Sequence, residues 1–150
     1  MLKSLIISFK NAIRGIVICI KNERNFRIHI VAIIFVLCFS IIYELTLAKL
    51  AIIFAVFSLV LFAELINSAI EEILNIHVDC YNIYARNAKD IAAGAVLVTA
   101  IFSVVIAVLL FRDEQGWQRV INLFIFNSFT IIIFVCLTAL SVIFIIGKKK

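Results

Sequence analysis

The 150-residue sequence contains no proline and only four glycines, so it lacks the flexible stretches that commonly link domains. Charged residues are also few: they make up 15% of the chain, whereas hydrophobic residues make up 65% and the mean hydropathy is +1.22. This composition lies far outside the range of soluble domains. These features leave no room for a separate soluble domain and predict one compact, all-α integral membrane protein.

Motifs of common nucleotide-binding and metal-binding domains are missing as well. The chain has no G-x-x-x-x-G-K-[ST] loop and no Gly-rich kinase loop. Its four cysteines do not have the spacing of metal ligands, and a cytoplasmic or intramembrane setting argues against disulfides. Residue types alone therefore leave the reaction open.

Long apolar runs dominate the sequence instead. Windows of about 20 apolar residues, enough to cross a hydrocarbon layer of roughly 30 Å, occur at about 28–47, 49–70, 91–111 and 120–146. We therefore predict four transmembrane helices. Of the 14 Lys and Arg residues, eleven lie before the first run, between the second and third, or at the C-terminus. This distribution predicts that both termini are in the cytoplasm.

Residues 1–24 have the pattern of an amphipathic helix. Apolar side chains share one face, and four basic residues follow the edge of that face. The pattern is typical of a helix lying in the membrane surface, although a solvated charge run beside a buried helix would look similar. We assign residues 25–111 to a transmembrane core and residues 112–150 to an additional transmembrane helix with a basic tail.

The stretch "ELINSAIEE", residues 64–72, places polar groups at the end of the second apolar run. Glu64, Asn67, Ser68 and Glu71 have helical spacing and project from one face, whereas Glu72 points away by about 80°. Ionisable groups at this depth usually face a bundle interior or a cleft and have a function. Polar residues can also simply join helices by hydrogen bonds, but that explains two acids and an amide on one stripe poorly.

Two further segments carry charge at the same cytoplasmic level. Lys89 and Asp90 lie in "ARNAKDIAAGAVL", whose small residues allow another helix to approach closely, and Glu23 lies in "KNERNFRIH". Carboxylates can hold Mg²⁺ together with substrate phosphates, a lysine can neutralise phosphate oxygens, and another carboxylate can accept a hydroxyl proton. Phosphoryl transfer from ATP to a lipid alcohol fits these groups.

These motifs resemble those of the small bacterial integral-membrane diacylglycerol kinases and undecaprenol kinases. The resemblance covers about residues 8–111 and rests on "AIRGI", "ERNFRIH", "ELINSAIE" and "AKDIAAGAVL" at matching intervals. It implies that the acid at Glu64 is the general base on the lipid hydroxyl and that Asn67 helps to position it. It also implies that Glu23 and Glu71 hold the Mg²⁺ of Mg-ATP.

The resemblance further implies that Lys89, Asp90 and the aromatic Tyr81 contact the nucleotide, with Glu23 and Glu71 contributing to ATP binding through the metal. It implies a homotrimer with sites shared between neighbouring protomers, in the bacterial cytoplasmic membrane, with a surface helix and three transmembrane helices per chain. Lipid and ATP are then the expected partners, and no nucleic acid is expected.

The sequence departs from that family pattern in two places. Asn75 stands where the family usually has an acid, and the fourth apolar run is additional to the family core. The residues of "ERNFRIH" and "AKDIAAGAVL" resemble those of the undecaprenol kinases somewhat more closely, which favours undecaprenol over diacylglycerol as substrate. Two alternatives with the same intramembrane acids stay open: the protein could be a small proton or ion transporter, or a structural membrane subunit.

Overall fold

The computed structural model describes residues 2–77 and 82–147, which form six helices and, within those ranges, no strand. The predicted all-α class is therefore confirmed. The helices are α1 (Leu2–Asn22), α2 (Arg24–Tyr43), α3 (Leu47–His77), α4 (Ile83–Leu110), α5 (Glu114–Phe126) and α6 (Ser128–Ile146).

Four of these helices are long and apolar enough to cross a membrane, as predicted: α2, α3, α4 and α6. With 31 residues, α3 is about 46 Å long, well beyond the roughly 30 Å of a hydrocarbon layer. Part of α3 therefore extends beyond the hydrocarbon, and the end that carries Glu71 lies beside the start of α4 with Lys89. We call this end of the molecule the site end, and the opposite end, with Tyr43 and Trp117, the far end.

The predicted fourth span at 120–146 is wrong in its extent, because two helices occupy this region. Helix α5 is amphipathic and ends at Phe126, and α6 begins at Ser128. Asn127 separates them, and its side-chain oxygen accepts a hydrogen bond from the backbone N–H of Phe129 at 3.1 Å. Capping by Asn is favoured at a helix start. The break was missed because the sequence stays apolar on both sides of one polar residue.

The helices pack in two connected groups. Helices α3 and α4 form a tight antiparallel pair, and α2 packs beside α3. Helices α5 and α6 pack on α2 and on one another, so within the described ranges the C-terminal pair reaches the other helices mainly through α2. Helix α1 crosses the site end, where it contacts α2 and α3.

At the far end, an aromatic cluster joins α2 to the start of α5. The rings of Phe39, Tyr43, Phe111 and Trp117 lie with centroids 5.0–6.1 Å apart, mostly edge to face. Edge-to-face packing of this kind adds to the stability that burial gives. A Cβ at Gly116 would overlap the Tyr43 ring, so only glycine lets α5 approach α2 this closely.

Candidate functional site

The polar stripe of α3 faces the interior of the helix bundle. Glu64 is 1% exposed, and Asn67 and Ser68 are also buried. The Ser68 hydroxyl donates a hydrogen bond to the backbone carbonyl of Glu64 at 3.0 Å, so it satisfies itself within the helix. The prediction from helical spacing that these residues share one face agrees with this burial.

Two oxygen atoms on this stripe are buried without a hydrogen-bond partner. They are Oε2 of Glu64 and Oδ1 of Asn67. Most buried polar groups in proteins are paired, and a carboxylate is especially costly to bury alone. The two oxygens are therefore available to accept hydrogen bonds from a group that enters the site.

Two turns after Glu64 on α3, Glu71 lies close to a lysine of the next helix. The Lys89 Nζ lies 3.3 Å from Oε1 of Glu71, with both side chains partly exposed. Ala92, one turn after Lys89 on α4, is buried, which fits the predicted role of small residues in close helix packing. The two helices thus bring together an acid and a base that are 18 residues apart in the sequence.

Asp90 does not join this pair. Its Oδ2 lies 3.7 Å from Nε of Arg86, one turn earlier on α4, and both side chains are largely exposed. The side chain therefore lies at the surface of the site end, whereas the side chain of Lys89 reaches Glu71.

Glu23 occupies the junction between α1 and α2. Its backbone is extended, and its side chain makes no capping hydrogen bond to α2 although it stands at the N-cap position. A cleft of about 220 Å³ lies beside it, lined also by Cys19, Ser68 and Glu72. The carboxylate of Glu23 is thus free of a helix-capping role and borders an open space.

Helical spacing predicts that Glu72 points away from the face of α3 that carries Glu64. The structure places it on the wall of the cleft that also contains Glu23. Helical spacing describes α3 alone and could not show that α1 covers a second face of this helix. Sequence reasoning therefore missed the place of Glu72 beside this cleft.

Negative charge accumulates around Glu64. The acids Glu23, Glu71 and Glu72 belong to the same end of the bundle. Burial raises the pKa of the Cys19 thiol, a hydrogen bond with Ser68 opposes that shift, and the neighbouring carboxylates add to it. A cluster of carboxylates with one nearby lysine favours the arrival of a cation.

The fit of the site to a magnesium ion depends on what the ligand set must supply. Within residues 2–77 and 82–147, no three His, Cys, Asp or Glu side chains lie close enough together to form a metal cage. Mg²⁺ bound with a nucleotide needs only one or two carboxylates, because phosphate oxygens and waters complete its coordination. Glu23 and Glu71 suit that arrangement by chemistry.

The predicted nucleotide contact Tyr81 lies outside the described residues. Asn75, which stands where the family usually has an acid, is exposed on the last turns of α3.

A larger cavity, of about 830 Å³, lies elsewhere, between α2, α6 and the ends of α4 and α5. Its lining is almost wholly apolar, with Phe35, Phe39 and Phe134 among its walls. No acid or base borders it. The polar residues around Glu64, and not this cavity, are therefore the candidate site.

The described site lies within the part of the chain that resembles known proteins. The profile of the family described as prokaryotic diacylglycerol kinase matches residues 10–111, which include Glu23, Glu64, Glu71 and Lys89. The chain belongs to the prokaryotic diacylglycerol kinase family. As a member of this family it is a lipid kinase.

Among its relatives is the undecaprenol kinase of Bacillus subtilis (strain 168), 39% identical over 107 residues that cover 71% of this chain and 87% of the relative. The diacylglycerol kinase of Synechocystis sp. (strain ATCC 27184 / PCC 6803 / Kazusa) is 35% identical over 104 residues, which cover 69% of this chain and 59% of that protein. No solved structure gives a significant match. Helices α5 and α6 lie beyond the family profile.

Proposed function

We propose that this kinase transfers the γ-phosphoryl group of Mg-ATP to the hydroxyl of a membrane lipid at the cytoplasmic membrane surface. Glu64 acts as the general base, Asn67 positions the hydroxyl, and Glu23 and Glu71 hold the metal of Mg-ATP. The observation that carries the proposal is the buried Oε2 of Glu64, which has no partner and lies two turns below the Glu71–Lys89 pair.

The depth of these groups suits a lipid acceptor. Glu64 precedes Glu71 by seven residues, so its carboxyl lies about 10 Å deeper along the axis of α3. A lipid hydroxyl held at the headgroup level can reach Glu64 from the bilayer, whereas ATP approaches Glu71 and Lys89 from water. The two reactants then meet between the residues proposed to serve them.

The chemistry balances with these residues. Oε2 of Glu64 accepts the proton of the lipid hydroxyl as its oxygen forms a bond to the γ-phosphorus. The bond between that phosphorus and the β–γ bridging oxygen breaks, and ADP leaves. Lys89 neutralises charge on the phosphate oxygens, and a metal bound at Glu23 and Glu71 would supply further neutralisation and alignment.

Asp90 and Tyr81 complete the proposed nucleotide contacts. The exposed Asp90 side chain stands at the water-facing start of α4, where it can exchange its contact with Arg86 for a contact with ATP. This role is independent of the buried stripe. In this role Asp90 contributes to nucleotide binding and takes no part in proton transfer.

We propose undecaprenol as the preferred acceptor, ahead of diacylglycerol. The support is the name of the relative with 39% identity, which the chain covers over 87% of its length, against 59% for the diacylglycerol kinase. We also propose a homotrimer in the cytoplasmic membrane with both termini in the cytoplasm. The unpaired oxygens of Glu64 and Asn67 support an assembly in which a neighbouring protomer or a substrate supplies donors.

Transfer of radiolabelled phosphate from ATP tests the reaction. The detergent-purified chain is incubated with undecaprenol or diacylglycerol, with and without Mg²⁺, and labelled lipid is counted. We expect Mg-dependent labelling of undecaprenol and loss of most labelling in Glu71→Gln, with Glu114→Gln, an exposed acid of α5, as the matched control. Absence of labelled lipid, together with ion flux in proteoliposomes that consume no ATP, would instead establish a transporter.

A further inference from the structure

The C-terminal helical pair, α5 and α6, lies outside the segment that the family profile matches, yet it joins the kinase core at both of its ends. In the described ranges, α6 packs on α2 and α5 only. Any effect of α5 and α6 on the site must therefore be transmitted through α2 or through the residues at the two ends of α2.

At the site end, Arg27 links three helices. Its Nη1 donates to the carbonyl of Gly147, which ends α6, at 3.1 Å and to the carbonyl of Lys21 in α1 at 3.4 Å. The residue is 8% exposed and belongs to the first turn of α2. Carbonyls in the last turn of a helix carry partial negative charge, so a guanidinium is favoured at that position.

Glu23 lies in the chain between Lys21, whose carbonyl Arg27 contacts, and Arg27 itself. Its backbone N–H donates to the carbonyl of Cys19 at 2.8 Å, and its carbonyl accepts from the N–H of Arg27 at 3.4 Å. No side-chain cap fixes the junction between α1 and α2. The direction of the Glu23 carboxylate therefore depends on how firmly Arg27 holds the ends of α1 and α6 together.

The far end of α2 is held by the same helical pair. The Tyr43 hydroxyl donates to the carbonyl of Asp113, and Nη1 of Arg119 donates to the carbonyl of Tyr43 at 3.1 Å. Arg119 also forms an ion pair with Glu44 at 3.3 Å. Helix α2 is thus attached to the C-terminal pair at both ends. In the middle of α2, the ring of Phe35 packs against the ring of Phe134 in α6.

We propose that Arg27 is a positioning residue for Glu23 and that α5 and α6 act on the Mg-ATP site through it. Arg27 touches neither reactant in this role. It orients the junction from which Glu23 reaches the metal, and Gly147 supplies the acceptor that only the additional helix can offer. The inference rests on the proposed function for its kinetic consequence, but not for its structural one.

Four variants of the full chain separate this role from others. Arg27→Gln removes the charge, and Arg27→Lys keeps the charge but replaces the guanidinium whose Nη1 donates to both carbonyls. An alanine inserted after Ile143 rotates Gly147 by about 100° and advances it by about 1.5 Å along α6. An alanine inserted directly after Gly147 is the matched control, because it leaves that carbonyl in place.

Kinetic measurements give the first readout. We expect Arg27→Gln and the insertion after Ile143 each to raise the KM for Mg-ATP about tenfold, the size of effect seen when a group that orients a metal ligand is lost. The KM for lipid should stay within about twofold, and Arg27→Lys should recover part of the loss. The two changes combined should cost little more than either alone, because they remove the same contact.

Alkylation of Cys19 gives a readout that needs no kinase activity. Cys19 is buried one turn before Glu23, and the other three cysteines are replaced by alanine so that a maleimide reports on this site alone. Arg27→Gln and the insertion after Ile143 should speed labelling at least about fivefold by easing local opening of the junction. The control insertion should leave the rate unchanged.

The outcomes distinguish the possibilities. A raised KM in Arg27→Gln with no effect of the insertion after Ile143 would show that Arg27 acts without α6, and it would overturn the proposal. A fall in kcat with an unchanged KM for Mg-ATP would do so as well. If the chain transfers no phosphate, the proposed function fails, and unchanged Cys19 labelling in both variants would then refute the structural link separately.

Discussion

Replacing Glu64 by glutamine should nearly abolish lipid phosphorylation while leaving the protein as stable as before. Glutamine has the shape of glutamate, so the packing around this 1% exposed side chain is kept. What changes is the ability of the unpaired Oε2 position to accept a proton. The substitution therefore isolates the chemical role of one atom.

The size of the activity loss follows from the role. Positioned general bases contribute about 10²–10⁴-fold to the rate, which corresponds to about 2.7–5.4 kcal/mol of transition-state stabilisation. We expect kcat to fall by at least about a hundredfold. The KM for Mg-ATP should change little, because Glu71 and Lys89, which are proposed to serve ATP, lie two turns away.

Stability should respond in the opposite sense or not at all. The wild-type side chain buries a carboxyl oxygen that no protein group pairs, and a neutral amide costs less to bury than a charged carboxylate. The Ser68 hydrogen bond to the backbone carbonyl of residue 64 does not involve the side chain and remains. We expect the Tm in detergent to rise or to stay within about 3 °C of the wild-type value, which is the shift that about 1 kcal/mol causes in a protein of this size.

The assay pairs phosphate transfer to undecaprenol with thermal unfolding of the same preparation. Glu114→Gln serves as the control for removal of an exposed acid outside the site. Glu64→Gln retaining a tenth or more of wild-type kcat would refute the role of general base. A Tm lowered by several degrees alongside the lost activity would show that Glu64 instead holds the bundle together.

Three further predictions concern the proposed nucleotide contact, the far end of the molecule and the proposed metal. Lys89→Gln should raise the KM for Mg-ATP about tenfold but change stability by no more than about 1 kcal/mol, because its ion pair with Glu71 is partly exposed; an unchanged KM would contradict its nucleotide role. Gly116→Ala should destabilise the chain by about 1–3 kcal/mol in thermal unfolding, because the new Cβ overlaps the ring of Tyr43. Gly94→Ala, where an added Cβ meets nothing within 4 Å, is its control and should be neutral or stabilising, so equal loss in both variants would argue against the clash. Removal of divalent metal with EDTA should abolish lipid phosphorylation and added Mg²⁺ should restore it; activity that survives chelation would exclude the proposed metal site.

Much of the site was accessible from helical spacing. The 3.6-residue period places Glu64, Asn67 and Glu71 on one side of α3 whatever the rest of the chain does, because side-chain direction within a helix is a local property. The small residues after Lys89 likewise indicate a close helix contact, and the ion pair of Lys89 with Glu71 at 3.3 Å agrees with it. The same local property placed Glu72 away from Glu64, and it could not show that the exposed side chain of Glu72 borders a cleft formed with α1.

The sequence by itself determined the solvent of this protein, the number of apolar helices and the polar face of α3. These properties depend on composition and on periodicity along one chain segment, so no neighbouring helix is needed to deduce them. Only the tertiary structure decided that Glu72 borders the cleft of Glu23 and that Arg27 meets the end of α6. Such pairings join residues up to 120 positions apart, and they depend on the packing of whole helices, which no local pattern records.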